Sequence, residues 1–153
     1  MSRRLTDTEV WNKKWFRELS PAEKCAWKYI TDKCDNVGVW SVDTEIAEQF
    51  IGESIDWSKL PSKCNGNIFQ MTETKWWLVD FCDFQHPDLD PKSKSKPIMS
   101  YIRELKRHGL WDEGKGCPYG MDTLCHMVQG KERLGKARKG KEADFPKMPW
   151  ERH

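Results

Sequence analysis

The sequence predicts an α+β fold that is mainly helical, and three features of the stretch from Ser20 to Phe81 lead to that prediction. A capped helix comes first, a short apolar strand follows it, and two short helices lead to an apolar hairpin. This order is typical of a winged helix-turn-helix, a compact unit used mainly to hold DNA. We expect an added helix before this unit, and a basic helix and a flexible tail after it.

Local signals place the first two helices. Asp7 can cap a helix over 8–19, in which tryptophans recur at four-residue spacing and form one apolar face. Ser20 is the N-cap of the next helix, with a proline at its first position and Glu23 where a capping box needs it. Cys25 falls on the apolar stripe of this second helix, so we expect it to be a core residue.

A strand over 37–42 and two short helices follow. Asp43 can cap a helix over 44–51. We expect four apolar side chains to bury that helix: Ile46, Ala47, Phe50 and Ile51. The next helix, over 56–64, would be the recognition helix of a winged helix. Pro61 lies inside it, where it removes a backbone donor and would kink or shorten the helix.

The hairpin and the basic helix complete the predicted order. Strands are predicted over 67–72 and 75–81, and the Trp76-Trp77-Leu-Val run of the second is apolar on both faces, so both of its faces should be covered. An acidic loop punctuated by prolines begins at Phe84, and a helix is predicted over 97–108. We assign 1–111 to one winged-helix domain with flanking helices. Residues 112–153 are predicted to be a low-complexity charged tail with a short helix over 121–128.

Composition argues against several classes of protein. No apolar run is long enough to span a bilayer, and the two arginines near the N-terminus precede no apolar stretch of a secretion signal. A chain without a secretion signal is expected in the cytoplasm, and the reducing conditions there should keep the six cysteines, which form no Cys-x-x-Cys pair, as free thiols. Phosphate-loop, zinc-protease and nucleophile-elbow motifs do not occur, so we expect no enzyme, no catalytic residue and no cofactor.

Charge is unevenly distributed along the chain. The net charge is +2, but residues 1–91 carry 11 lysines and arginines against 16 acidic residues, whereas residues 92–153 carry 15 against 8. Phosphate affinity should therefore be concentrated in the second part.

Three groups of residues are candidates for DNA contact. The strongest is the predicted basic helix with the run before it, because closely spaced cations displace counterions from a duplex. Its members are Lys92, Lys94, Lys96, Arg103, Lys106 and Arg107. The recognition helix, which lacks the arginine, asparagine and glutamine that read bases best, offers Trp57, Ser58, Lys59, Ser62 and Lys63. Thr74 and Lys75 lie at the wing tip. A solvated helix face, a short structural helix and ordinary turn chemistry remain open as alternatives.

Metal sites are only weakly indicated. The candidate zinc ligands are Cys117, Cys125 and His126, with Cys82 and His86. They lack the paired Cys-x-x-Cys spacing of zinc knuckles, so we predict no metal site. The aspartates between Asp80 and Asp90 could hold Mg²⁺, but aspartates beside prolines are usually turn formers.

Several motifs resemble those of a known family. Its helix start is similar to Leu19-Ser20-Pro21, and its strand entry is similar to Asp32–Asp35 with Gly38 and Trp40. Its hairpin exit is similar to Lys75-Trp76-Trp77 with Phe81 and Phe84-Gln85, and the limits of its basic helix are similar to Pro91–Lys94 and Gly109-Leu110. On these motifs, over about two thirds of its length, the chain resembles the N-terminal winged-helix domain of bacteriophage and prophage replisome organisers, which are replication initiators.

The resemblance implies a DNA-binding protein that acts in replication initiation inside a bacterial host cell. The winged helix and the basic helix would hold double-stranded DNA. The tail, through its aromatic-proline segment with Phe145 and Trp150, would recruit a host or phage replication protein. Two alternatives remain open: a winged-helix module for protein–protein interaction, and a transcriptional regulator that binds a palindrome as a dimer. The sequence leaves the oligomeric state open.

Overall fold

The computed structural model describes residues 3–120 and residue 124, and the chain divides into two compact units between Leu89 and Asp90. The fold is α+β, as predicted, with short helices and small antiparallel sheets. Within the described part, no helix is long and apolar enough to cross a membrane.

The first unit combines six short helices with three strands among its described residues. In chain order these are a 3₁₀ helix (Thr8–Asn12), α1 (Lys14–Arg17), α2 (Pro21–Lys33), β1 (Val39–Ser41), α3 (Thr44–Ile51), α4 (Leu60–Lys63), β2 (Ile68–Thr72), β3 (Lys75–Leu78) and α5 (Phe81–Gln85). The bounds predicted for α3 are confirmed, and the predicted strands are present but shorter than expected.

The N-terminal helix predicted over 8–19 is wrong, because the chain is extended at Lys13, between the 3₁₀ helix and α1. The Asp7 cap is present: its carboxylate accepts a hydrogen bond from the Glu9 amide at 3.0 Å. Val10 and Phe16 are both buried. Six residues apart on one α-helix they would point well away from each other, so the break lets both reach the core.

The capping box of α2 is confirmed. The Ser20 hydroxyl accepts a hydrogen bond from the Glu23 amide at 3.1 Å, and the Glu23 carboxylate accepts one from the Ser20 amide at 2.9 Å. The expectation that Cys25 lies in the core is wrong, since its side chain is exposed. Every fourth position of α2 faces the core instead, namely Ala22, Ala26 and Ile30.

Helix α3 is less buried than the sequence suggests. Ala47 is fully buried, but Ile46 is 50% exposed and Phe50 is 72% exposed, so their predicted burial is wrong. Asp43 precedes the helix without capping it through its side chain, and its Oδ2 accepts a hydrogen bond from the Tyr29 hydroxyl at 3.0 Å. Gly52, in the left-handed conformation, ends the helix as predicted.

The three strands of the first unit form one antiparallel sheet in the order β1-β3-β2. Trp40 of β1 is paired with Trp76 of β3, the central strand. Trp76 and its neighbour Trp77 point to opposite faces and are both buried, which confirms that both faces of β3 are covered. Strand β3 ends at Leu78 rather than Phe81, and the loop expected from Phe84 onward is partly replaced by α5.

The second unit contains a longer helix and a two-stranded sheet in its described residues. Its elements are α6 (Lys96–Arg107), β4 (Trp111–Asp112) and β5 (Cys117–Pro118). The helix predicted over 97–108 is confirmed to within one residue at each end. The β4–β5 hairpin crosses the predicted boundary between residues 111 and 112, and those domain limits stay a prediction. Of the short helix predicted over 121–128, only Leu124 lies among the described residues, in a helical conformation and buried.

Gly38 occupies a position that should not tolerate a side chain. Its φ is +93°, and an added Cβ would lie 2.7 Å from Phe81 Cβ and 3.1 Å from the Leu78 carbonyl oxygen. Gly52 has a similar φ of +85° but no atom within 4 Å of the added Cβ. We expect Gly38→Ala to lower the free energy of unfolding by about 3 kcal/mol and Gly52→Ala by about 1 kcal/mol. Urea denaturation measures both, and equal losses would contradict the steric argument.

Glu23 links α2 to α4 and should make stability depend on pH. Its carboxylate accepts a hydrogen bond from Lys63 Nζ at 2.7 Å. Burial raises the pKa of Glu23, but hydrogen bonds from Lys63 and from the Ser20 amide outweigh burial, and the net pKa is lowered. The stabilisation is therefore present above the unfolded pKa, near 4.5, and is lost as the pH falls through the lower folded pKa.

Glu23→Gln keeps an acceptor for the Ser20 amide but removes the charge. We expect it to cost about 1 kcal/mol of unfolding free energy near neutral pH, and the difference from the wild type to shrink as the pH is lowered from about 5 to 3. Glu18→Gln is the matched control, because Glu18 forms an exposed ion pair with Lys14 at 3.7 Å. Urea denaturation curves at several pH values measure this effect. If the loss of unfolding free energy in Glu23→Gln did not change with pH, the proposed dependence of stability on the Glu23 charge would be refuted.

Candidate nucleic-acid interface

Helix α6 carries the basic face that the sequence predicted. Ile102 and Leu105 are buried on one side of it. Four cations are exposed on the other side, at positions i, i+7, i+10 and i+11: Lys96, Arg103, Lys106 and Arg107. Ser100 is exposed on the same side of the helix as these cations. It precedes the buried Ile102 by two residues, and two successive steps along an α-helix reach nearly the opposite face. This arrangement presents a polar and basic surface about three helical turns in length.

Ion pairs divide these cations into two groups. Lys106 Nζ lies 3.0 Å from the Glu113 carboxylate, and Arg107 Nη2 lies 2.6 Å from the Glu104 carboxylate, which also accepts from Arg107 Nε at 3.1 Å. Lys96 and Arg103 form no ion pair with any described residue. A paired cation must give up or share its carboxylate to contact a phosphate, so Lys96 and Arg103 are better placed to do so.

The run before α6 adds two more exposed cations, Lys92 and Lys94, which also lack an ion pair among the described residues. A turn holds this run in place. The Asp90 carboxylate accepts a hydrogen bond from the Lys92 amide at 2.8 Å, and the Ser93 amide donates to the Asp90 carbonyl at 2.9 Å. Asp90 is therefore a turn former here, the role that its neighbouring proline favoured.

The recognition helix predicted over 56–64 is not formed as expected. Helix α4 is only the four residues Leu60–Lys63, so Pro61 lies in its first turn, where no intrahelical donor is needed, rather than in its interior. Trp57, before the helix, is partly buried, with its ring 5.7 Å from that of Trp40 and 6.3 Å from that of Trp76. The short helix and the packed tryptophan both favour a structural role for this segment.

The polar groups predicted for the recognition helix are engaged within the first unit. Lys59 Nζ lies 3.3 Å from the Asp56 carboxylate, and Lys63 is paired with Glu23. The Ser62 hydroxyl donates to the Lys59 carbonyl at 2.7 Å. Ser58 also donates to the Asp56 carboxylate, at 2.5 Å. Their assignment as DNA contacts stays a prediction, but each would have to exchange a protein partner for the nucleic acid.

Glu48 is a residue that the sequence reasoning missed. Its carboxylate accepts hydrogen bonds from the Ile55 amide at 3.0 Å and from Trp57 Nε1 at 2.9 Å. These hydrogen bonds, with a smaller one from Ser54, hold the pKa of Glu48 below its usual range. One carboxylate of α3 therefore fixes the chain that enters α4. A glutamate one helical turn before a left-handed glycine gives no local signal of such a role.

The predicted wing tip is a tight turn between β2 and β3. Lys75 opens β3 opposite Ser41 of β1 and is partly buried, with no ion pair among the described residues. The Thr74 amide donates to the Thr72 hydroxyl at 3.2 Å, which closes the turn. Lys75 thus lies at the edge of the hairpin where the sequence placed it.

Some of the remaining predicted site residues lie outside the described part of the chain. They are the partner-binding candidates Phe145 and Trp150 and the zinc candidates Cys125 and His126. Among the other zinc candidates, Cys117 is exposed on β5 and Cys82 is fully buried in α5. Burial, with smaller contributions from nearby Asp83 and Asp35, raises the pKa of the Cys82 thiol to about 12. Cys82 is therefore a protonated core thiol, which is a poor metal ligand.

Comparisons with known proteins add no relative: the chain matches no protein-family model, no curated protein and no solved structure at a significant level. The resemblance to replication initiators therefore rests on the sequence motifs alone.

Proposed function

We propose that this chain is a DNA-binding protein of phage or prophage origin that acts in replication initiation, with α6 as its phosphate-binding element. One observation carries the proposal. Four exposed cations, Lys92, Lys94, Lys96 and Arg103, are grouped on α6 and the turn before it, without an ion pair to any described carboxylate. Such a group releases counterions when it meets a duplex.

The topology of the first unit supports a winged helix. The helices α2, α3 and α4, the strand β1 and the β2–β3 hairpin follow one another in the order of that fold, with β3 central in the sheet. In this interpretation α3 and α4 are the helix-turn-helix pair and the β2–β3 turn is the wing. Because α4 is short, and both Lys63 and the preceding Lys59 are paired with carboxylates, the first unit would orient the protein on DNA rather than read bases.

The proposed setting is the cytoplasm of a bacterial host cell, and the proposed role is binding rather than catalysis. All five described cysteines are free, in keeping with a reducing compartment. The tail with Phe145 and Trp150 would recruit a second replication protein, as the sequence resemblance implies.

A module for protein–protein interaction is the second candidate, and the surface of α3 favours it. Phe50 and Ile46 are exposed one turn apart, and Phe50 stacks on Tyr29 at 6.1 Å between ring centroids. Lys33 Nζ lies 5.7 Å from the Phe50 ring. Exposed aromatic and aliphatic side chains of this kind often mark a protein contact.

Salt-dependent DNA binding tests the leading proposal. Fluorescence anisotropy with a labelled duplex should show affinity that falls steeply as salt rises. We expect Lys96→Gln with Arg103→Gln to reduce the slope of log K against log salt by about 1.8, because each lost phosphate contact removes about 0.9. The matched control is Lys106→Gln with Arg107→Gln on the same helix, whose paired cations should change the slope by less than half as much.

Two results would contradict different parts of this proposal. No binding at low salt would refute DNA binding and favour the interaction module. Binding with equal slopes for the two double variants would retain DNA binding but contradict the argument from ion pairing.

A further inference from the structure

The outward face of helix α3 combines exposed apolar side chains with exposed carboxylates. Its exposed positions recur at i, i+1, i+4 and i+5, so they share one side of the helix, and a further exposed glutamate follows the glycine that ends it. The buried Ala47 lies on the other side. We define the α3 surface by these five exposed residues: Glu45, Ile46, Gln49, Phe50 and Glu53.

Phe50 is held in its exposed position by the first unit itself. It is 72% exposed, the highest value among the large apolar side chains of the described residues. Its ring stacks on that of Tyr29 in α2 with an interplanar angle of 27°, and the Tyr29 hydroxyl donates to the Asp43 carboxylate at 3.0 Å. A ring fixed on one side loses little conformational freedom when a partner covers its other side. With Ile46 one turn away, Phe50 forms a preformed apolar contact of the kind that anchors protein interfaces.

The charge at and beside the α3 surface is mainly negative. Between Lys33 and Lys59 the chain has six acidic residues and no lysine or arginine. Glu45 and Glu53 form no ion pair with any described residue. Glu48 accepts hydrogen bonds only from an amide, an indole and a hydroxyl group, which are neutral and leave its charge uncompensated. Three carboxylates therefore stand against one cation, Lys33, whose Nζ lies 5.7 Å from the centre of the Phe50 ring.

This balance of charge distinguishes between classes of partner. The phosphates of a nucleic acid would be repelled by the carboxylates, so α3 is a poor surface for DNA. A segment that carries both cations and apolar side chains matches the surface in charge and in hydrophobic character. Glu45 lies in the first turn of α3 and Glu53 just beyond its end, so the apolar pair Ile46 and Phe50 falls between two carboxylates along the chain.

We propose that the α3 surface is the docking site for a basic amphipathic helix of a protein partner. Two cations on one face of that helix bind Glu45 and Glu53, and apolar side chains between them pack on Ile46 and Phe50. Helix α3 has eight residues and is about 12 Å long. Cations seven residues apart on a partner helix are about 10.5 Å apart along its axis, which is a comparable length.

This inference rests on the second candidate function, the module for protein–protein interaction, and names the chemistry of its partner. Helix α6 takes no part in the docking site. The test contains no DNA, so its outcome is separate from that of the salt-dependent DNA binding experiment.

The test uses the full chain and a defined probe. The probe is a capped, fluorescein-labelled, alanine-based helical peptide with two arginines seven residues apart and leucines at the third and fourth positions after the first arginine. These four side chains share one face of a helix. The protein is titrated into the peptide at low salt, and binding is followed by fluorescence anisotropy. We expect saturable binding that weakens as the salt concentration rises.

Three control peptides define the chemistry. In the first the leucines are replaced by serine, in the second the arginines are replaced by glutamate, and the third has the original composition with the arginines on the face opposite the leucines. Each should bind more weakly than the probe. The proposal is overturned if the probe does not bind at millimolar protein concentration, or if any control peptide binds as tightly as the probe.

Charge variants of the protein locate the cations of the partner. Glu45→Gln with Glu53→Gln should weaken binding of the probe about fivefold, because two ion pairs are lost. The matched control is Asp83→Asn with Asp88→Asn, which removes the same charge from exposed residues of α5 and the segment after it. We expect the control to change the affinity less than twofold. Equal losses in the two double variants would contradict the proposal.

Apolar variants locate the leucines of the partner. Phe50→Ala should weaken binding about tenfold, and Ile46→Ala, which leaves the stack on Tyr29 intact, about threefold. Leu5→Ala is the matched control, because Leu5 is 62% exposed in the N-terminal segment, and it should leave the affinity unchanged. Urea denaturation checks that each variant is folded. Unchanged affinity in both Phe50→Ala and Ile46→Ala would refute docking on α3.

Discussion

The burial of β3 on both faces is the constraint on which the first unit depends. Trp76 and Trp77 are consecutive, so their side chains need separate apolar layers, and they are only 5% and 0% exposed. Trp77 Nε1 donates to the Val37 carbonyl at 3.0 Å, which fixes the turn between α2 and β1. Trp76 packs against Trp40 and Trp57, at 5.3 and 6.3 Å between ring centroids. The sheet therefore holds in place both the turn before β1 and the tryptophans that cover it.

This constraint also explains why the segment before α4 is structural. Trp57 must lie against the sheet to cover Trp76, and its indole N–H then needs an acceptor in a partly buried position. Glu48 supplies that acceptor and at the same time receives the Ile55 amide. Since the covering of β3 fixes the path of the chain up to Leu60, little length is left for a helix, and α4 is a single turn.

Local signals predicted the elements that depend on local chemistry. The Ser20 capping box, the Gly52 stop and the apolar spacing of α6 each specify an element end or face through neighbours only a few residues away. Burial depends on which distant parts of the chain pack against a residue. The local pattern therefore predicts burial for Cys25 and Phe50, although both side chains are exposed. The candidate DNA-binding site shows the same difference between features set by local sequence and features set by tertiary packing. Spacing predicted the basic face of α6, but the pairing of Lys106 with a residue of the β4–β5 turn needs the tertiary fold.

The pairing of cations changes what the charge distribution means for binding. Residues 90–120 contain seven basic and four acidic side chains, and two of the seven are held by carboxylates of the same unit. Of the other five, all except Lys115 lie between residues 92 and 103. Lys96 and Arg103 are seven residues apart on one helix, about 10.5 Å along its axis. Phosphates rise about 3.4 Å along the axis for each nucleotide of a strand. The separation of Lys96 and Arg103 is about three times this rise, so in the proposed complex the two cations would meet different phosphates, and Lys92 and Lys94 would extend the contact beyond the helix start.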